Sequence, residues 1–589
     1  MKRFIYTAIA AAFALTTVSC SDFLDKKSSA YDSDGFYQQE AGLDEAVTAI
    51  YRGLLYEQNW AVPAVMVQDM YCPYGLQDQE NTTISAGPGL TPDQTYVNSY
   101  WKGHWAIVMR ANNVLDGAAT DLDAMSATYR RRVAEAKVLR AYAYYNLVMT
   151  FGDIPFFVHA VTPDEYDTPR SDKKEITDYL VNELQGIADS NILPWQPENI
   201  GRVGTGMVYN LIARFCLLAG SHDFGGEGQA YFKKAAEAAK VVMDKAGLAE
   251  KFGDLFCHEG QAKGQTRNEI LFELPYARGQ INLTHRTRYG HTSRTAGGSS
   301  VRFPSPLLEV CFECKDGKRI DESPLYDPKK PYLNRDPRMH QTMLMHGDTF
   351  VYNGGANKLI LNVYGKTARQ YPDPDSKRPA WYSGNNADVT LASSTFAKPG
   401  IGLLWNKYNM DLTESFNEST INIIVMRAAE AYLTYAEAKI ELGELDQTVY
   451  DAINAVRRRA GAVDFDRARE GNQDLMRQQV RRERKMELAM EGVLLCDFRR
   501  WGIGDILNAG PIYGQPADEV RYTKLTKEDM PTFKKSARHA LNDVPDYSAV
   551  AEKYTKRDIR RFWAPRFQWW PIPRADLDRN PNLTNPEGY

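Results

Sequence analysis

The chain has 589 residues, 43% hydrophobic and 25% charged. That is enough apolar material for a large core, which excludes a disordered or collagen-like chain. A formal charge of −4 lacks the basic excess of a nucleic-acid binder. Tyrosine is over-used: its 34 copies outnumber the 10 Trp and 23 Phe together.

Lys2 and Arg3 precede an apolar run from Phe4 to Val18. The run is too short to span about 30 Å of hydrocarbon and fits the h-region of a secretory signal. Ser19 then precedes Cys20, the order of a lipoprotein cleavage site, although Thr17 stands where Leu is usual. The reading is a signal peptide over 1–19 and lipidation at Cys20, with ordinary cleavage beside Cys20 as the alternative. Several acyl chains on one cysteine give stable anchoring.

Apolar residues recur at helical spacing over about 36–57, 97–118, 126–151, 172–190, 203–220, 229–247, 420–443 and 446–461, with a ninth helix over about 472–491. In the third, Tyr129, Val133, Ala136, Leu139, Ala143 and Leu147 form one stripe that Gly152 and Pro155 end. In the fourth, Ile176, Leu180, Leu184 and Ile187 do the same, with Ser171 placed to cap the first turn. Arg427–Ala460 reads as helix, Gly-containing turn, helix; its length matches a tetratricopeptide unit, without the W-x-x-L-G-x-x-Y signature. The fold class is therefore mainly α, with about four tetratricopeptide-like helix pairs. Residues 248–419 differ. They hold eleven prolines and short apolar runs such as Glu269–Pro275 and Lys358–Tyr364, and read as loops and small strands packed on the helices. Such long irregular stretches usually carry function. Residues 503–560, with weak periodicity, Pro and charge, read as an insertion. The division is 1–19 leader, 20–247 helical part, 248–419 irregular region and 420–589 C-terminal part with the last helix pair.

Motifs for catalysis fail. There is no G-x-x-x-x-G-K-[ST] loop and no G-x-G-x-x-G between strand and helix. His258-Glu259 does not continue as H-E-x-x-H, and Gly298-Ser299-Ser300 does not complete G-x-S-x-G. Cys311-x-x-Cys314 has no second ligand pair for zinc, so a disulfide or free thiols is the reading. No metal or cofactor is expected. Glu483, Glu487 and Glu491 share one helix face close to Arg484 and Arg499–Arg500, as an interior ion-pair network would.

Specific strings then carry a resemblance. From Cys20 the chain reads C-S-D-F-L-D, and it ends P-I-P-R-A-D-L-D-R-N-P-N-L-T-N-P-E-G-Y. Between lie A-E-A-K-V-L-R-A-Y-A-Y-Y-N-L-V with F-G-D-I-P, N-E-I-L-F-E, D-P-R-M, A-E-A-Y-L-T-Y-A-E-A-K-I-E-L-G and E-R-K-M-E-L-A-M-E-G-V-L-L-C-D-F-R-R-W. In this combination and order the chain resembles the SusD/RagB family of outer-membrane nutrient-binding lipoproteins over essentially its mature length. It departs at Leu494, where the family usually has Arg, and at Glu587, inserted into the closing N-P-G-Y. The resemblance implies a lipid-anchored cell-surface protein of the outer membrane. It would cap a SusC-like TonB-dependent transporter and hand it oligosaccharides, or sometimes peptides, without catalysis. The irregular part would form the ligand platform. A surface binder of peptides or glycopeptides is the alternative, and a polysaccharide hydrolase a more remote one.

Sugar rings stack their apolar faces on Trp and Tyr while Asp, Asn and Arg take hydroxyls. Aromatics in loops are the candidates: Trp60 with nearby Asp69, Trp101 at the mouth of the 82–95 loop, and Trp381-Tyr382 with Arg369. Trp563, Trp569 and Trp570 read as scaffold, and Tyr142, Tyr144 and Tyr145 as core.

Overall fold

The computed structural model describes residues 33–58, 62–77, 84–85, 87, 89–278, 283–371, 382–390, 401–411, 415–516, 518–557, 561 and 563–589. Six long helices come first: α1 (Glu40–Leu54), α2 (Thr95–Gly117), α3 (Ala127–Phe151), α4 (Lys173–Asp189), α5 (Thr205–Ser221) and α6 (Gly228–Lys245). Three more follow far along the chain: α7 (Ala428–Glu441), α8 (Gln447–Arg459) and α9 (Gln473–Leu488), with the shorter α10 (Leu494–Arg500) behind. Neighbours in sequence pack together: α1 on α2 and α3, α2 on α3, α4 on α5 and α5 on α6. The array then continues from α6 directly onto α7, and from α7 onto α8 and α9. The irregular region is thus inserted between two helices that touch.

Local chemistry explains the helix limits. Ser126 accepts from the Tyr129 N–H at the start of α3, and Gly152 ends it with φ of 73°. A Cβ there would lie 3.0 Å from the Trp569 ring, so both conformation and space require glycine. All six residues of the expected α3 stripe are buried. At α4 the cap is Asp172, which accepts from the Lys174 N–H, and not Ser171. Ser171 is engaged elsewhere, its N–H donating to Ile154 O at 2.9 Å.

The expected helix over 420–443 is in part a strand. Residues 423–427 form a fully buried strand, Ile423–Arg427, and α7 starts only at Ala428. The first four residues of the strand, Ile423–Met426, are continuously apolar, and such a run gives no period by which to tell a buried strand from a helix. This strand pairs antiparallel with Ile270–Leu274, with a bulge between Ile424 and Arg427. The inserted region otherwise folds into the expected small sheets, with short helices among them that the sequence reading did not include. Its largest sheet has four antiparallel strands: β1 (Thr349–Tyr352), β2 (Asn357–Ile360), β3 (Thr367–Tyr371) and β4 (Tyr382–Asn385), in spatial order β4-β3-β2-β1.

An ionic cluster joins the insert to the C-terminal helices. Glu487 on α9 accepts from Arg338 at 2.9 Å, Arg427 at 2.7 Å and Arg459. Glu483 accepts from Arg338 at 2.6 Å and Arg457 at 2.8 Å, and Glu491 from Lys407 and Arg427. The interior network is as expected, but its partners come from remote segments. Arg484 and Arg500 pair instead with Asp497 and Glu437. Burial alone would raise the Glu487 carboxyl, yet the three guanidinium groups outweigh it and hold the group well below the usual range.

The six described cysteines are free, and both thiols of the Cys311-x-x-Cys314 pair are buried. No described helix is long and apolar enough to cross a membrane. Cys20 and the leader lie outside the described residues.

Candidate functional site

The irregular insert presents a hairpin and a turn locked to each other. β3 and β4 pair with Ser383 opposite Arg369 and Tyr382 opposite Gln370. At the base of β4, the buried Asp388 accepts from the Arg294 N–H at 2.9 Å, from Thr295 Oγ1 at 3.0 Å and from Ser293 Oγ. Asn386 accepts from Thr295 Oγ1 at 3.1 Å and donates to Asn362 O and Gly365 O, both at 2.8 Å. The 293–297 turn is therefore fixed against the sheet before any ligand arrives, which lowers the entropic cost of binding there. Arg369 is exposed on β3 and Arg294 half-buried on the turn. Ahead of the turn in the chain, Arg286 lies over the Tyr289 ring at 4.6 Å and donates to Asn417 Oδ1 at 2.9 Å. Guanidinium groups over a fixed polar frame can donate to hydroxyl or carboxylate oxygens.

The candidate residues separate. Arg369 and Tyr382 come together on adjacent strands. Trp60 and Trp381 lie outside the described residues. Trp101 is far from the hairpin in the chain, on α2, and is only 4% exposed. It sits edge-on to Trp105 and Phe151, with centroids at 5.5 and 4.8 Å, and borders a separate groove.

Asp69 corrects the reading that placed it beside a ligand. It is 1% exposed, and its carboxylate accepts from the Leu494 N–H at 2.9 Å and the Glu491 N–H at 3.1 Å. It holds the turn between α9 and α10. Burial pushes its carboxyl up to about 7, against the opposing pull of the backbone N–H groups at 490–494. Its neighbours Tyr71 and Tyr74 are buried as well.

Asp388, Asn386 and the 293–297 turn were not read from the sequence. The N-A-D string at 386–388 is an Asx-turn signal, but its partner lies more than ninety positions away. Among the described residues no cluster of His, Cys, Asp and Glu is placed to hold a metal.

Comparison with known proteins settles the family. A model described as "SusD family" matches residues 268–589, more than half of the chain. A second, described as "Starch-binding associating with outer membrane", matches residues 22–217. The chain belongs to the SusD family. It is 25% identical over 504 residues to SusD-like protein P25 of Formosa agariphila, covering 82% of this chain and 87% of that one. It is also 25% identical over 484 residues to the starch-binding protein SusD of Bacteroides thetaiotaomicron, covering 78% and 73%. Among solved structures, a SusD-like carbohydrate-binding protein from Bacteroides fragilis superposes with a TM-score of 0.73 at 24% identity, covering 93% of this chain and all of that one. A surface glycan-binding protein of Bacteroides fluxus gives 0.61 at 16%, covering 94% and 100%. These structures share the SusD-like fold of paired helices with an inserted irregular region.

Proposed function

We propose that this SusD-family chain binds oligo- or polysaccharide at the cell surface and hands it, chemically unchanged, to a SusC-like TonB-dependent transporter. In this reading residues 1–19 are removed, Cys20 carries the lipid that tethers the protein to the outer membrane, and 248–419 carry the ligand platform. The relatives' names support the glycan and the membrane. The observation that carries the site is the prearranged frame of the insert: exposed Arg369 on β3 beside a turn that Asp388 and Asn386 lock in place. Sugar hydroxyls reward fixed donors, because each one left unpaired on binding costs about 1–3 kcal/mol.

The test is affinity electrophoresis of the chain lacking residues 1–20, in gels containing starch, fructan, xylan, pectin, mannan or host glycans. Retardation by one polymer, with no shortening of that polymer, is the expected result. Replacing Arg369 and Trp381 together with Ala should weaken it about tenfold, the factor that roughly 1.4 kcal/mol represents. Shortening of the polymer would overturn the non-catalytic reading. Retardation by none, with uptake of peptides instead, would move the ligand class to peptides.

A further inference from the structure

A second, quite different concavity lies on the helical part. A groove of about 700 Å³ runs between α2, the 155–168 loop and the C-terminal segment 576–583. That volume falls within the roughly 300–1,000 Å³ typical of small-ligand sites. Its apolar wall is aromatic: Trp101, Trp105 and Phe157 line it, and Tyr166 stands at its rim with 65% of its surface exposed. Trp105 meets Tyr144 and Phe157 edge-on, with centroids at 5.9 and 6.1 Å.

The walls are fixed from behind. Tyr144 Oη donates to Phe157 O and accepts from the Phe157 N–H, both at 2.8 Å. Arg140 donates to Val158 O at 2.7 Å and Asn112 to Phe157 O at 3.0 Å. The turn that carries Tyr166 is held by a capping box, in which Glu165 accepts from the Thr162 N–H at 2.9 Å while His159 sits against its other oxygen at 2.6 Å. The opposite rim is stitched to this loop: Asn580 donates to Thr168 O and Asn582 to Asp167 O, each at 2.8 Å.

Two buried polar atoms of the lining have no hydrogen-bond partner among the described residues: the indole Nε1–H of Trp105, a donor, and Oδ2 of Asp576, an acceptor. The Tyr166 ring, meanwhile, contacts no other described aromatic ring. A largely exposed ring beside a rigid aromatic wall, with one donor and one acceptor that no described residue engages, complements an object with apolar faces and hydroxyl edges. Lys102 and Arg579 are the charges that act on Asp576, and Glu165 also lines the groove, so two acids face two bases and no single sign of charge prevails.

We propose that this groove is a second carbohydrate-binding site, separate from the platform of the insert. In it Tyr166 stacks on one sugar ring, and Trp105 and Asp576 engage the hydroxyls of a neutral glycan. The proposal rests on the glycan-binding reading for the ligand class, but on different residues. A site on the helical part would let one polymer be held at two points, raising its effective affinity without new chemistry at the platform.

The test uses the mature chain and the same polymer gels, with Tyr166→Ala, Asp576→Asn and the platform double variant, Arg369→Ala with Trp381→Ala. Tyr166 is exposed on a surface turn, so its removal leaves the core intact; a thermal melt checks this. Where the unaltered chain is retarded, Tyr166→Ala should weaken retardation about tenfold, Asp576→Asn should weaken it less, and the effects should add to that of the platform variant. Burial raises the Asp576 carboxyl, and a hydroxyl donating to its anion would pull it down again. Binding should therefore tighten as pH rises through that titration, and Asp576→Asn should remove the slope. Full retardation of the Tyr166→Ala and Asp576→Asn chains, with loss only in the platform variant, would overturn the groove and leave the glycan reading standing. No retardation of the unaltered chain by any polymer overturns both.

Discussion

Two helices of this molecule reach the same burial by opposite chemistry. Along α3 the buried side chains include Tyr129, Val133, Ala136, Leu139, Ala143, Tyr144 and Leu147, the apolar stripe expected of a core helix. Along α9, Arg482, Glu483, Arg484, Lys485 and Glu487 are buried as completely. They are tolerable there because each charge is matched. Arg482 reaches Glu313 and Asp543, both at 2.8 Å, and Arg484 reaches Asp497 at 2.8 Å. Glu313 shows the balance: burial would raise its carboxyl, but Arg457 and Arg482 bring it down to about 2. The aromatic helix backs the wall of a groove, through Tyr144 on Phe157, and the ionic helix ties the inserted region back to the array.

The contrast predicts different failures. Glu487→Ala leaves Arg338, Arg427 and Arg459 buried around an empty position. Removing one partner of such a cluster costs about 3–5 kcal/mol, the largest single-site loss expected here, read as a drop in the urea midpoint. Leu147→Ala on α3 leaves only a cavity, and about 3 kcal/mol is expected from the methylenes and the void. The losses also differ in kind. Salt should barely change the second, whereas the first should vary with pH, because it leaves surplus buried positive charge beside Glu483 and Glu491. Equal losses with the same pH profile would mean that the α9 cluster behaves as ordinary packing.

The same contrast explains what the sequence revealed. Helices α1 to α6 were legible because an apolar stripe repeats at 3.6 residues, and their limits fall within a few positions of the expected ones. The strand at 423–427 was hidden, since a wholly buried segment has no polar face to mark its period. The acidic face of α9 was visible, but its partners were not. Arg338 and Arg427 lie 145 and 60 positions away from the glutamates they bind, and spacing within a helix carries no information about them. The candidate site divides the same way. Arg369 and Tyr382 met because a hairpin is local. Asp69 was misjudged because its partners at 491 and 494 are more than four hundred positions distant. Tyr166 was passed over although T-P-D-E-Y at 162–166 spells a capped turn ending in an aromatic.

Asp69 provides the smallest and most specific test of how this interior handles charge. Unlike the α9 glutamates it has backbone N–H partners in place of a cation, and burial wins, leaving the carboxyl at about 7 in the folded protein against about 3.9 unfolded. The folded state therefore holds a proton that the unfolded state has lost, and stability must fall as pH rises through the folded value. Between about pH 5.5 and 7.5 the loss from this one group is roughly 2 kcal/mol. Other groups titrate over that range too, so the comparison is between the unaltered chain and Asp69→Asn, in which every other contribution cancels. The variant pays about 1 kcal/mol for a weakened bond to the 491–494 turn, and its stability relative to the parent should improve steadily as pH rises. A constant difference across the range would show that the N–H groups at 491 and 494 hold the carboxylate as firmly as the guanidinium groups hold Glu487, and the distinction between dipole-held and cation-held charges in this core would disappear.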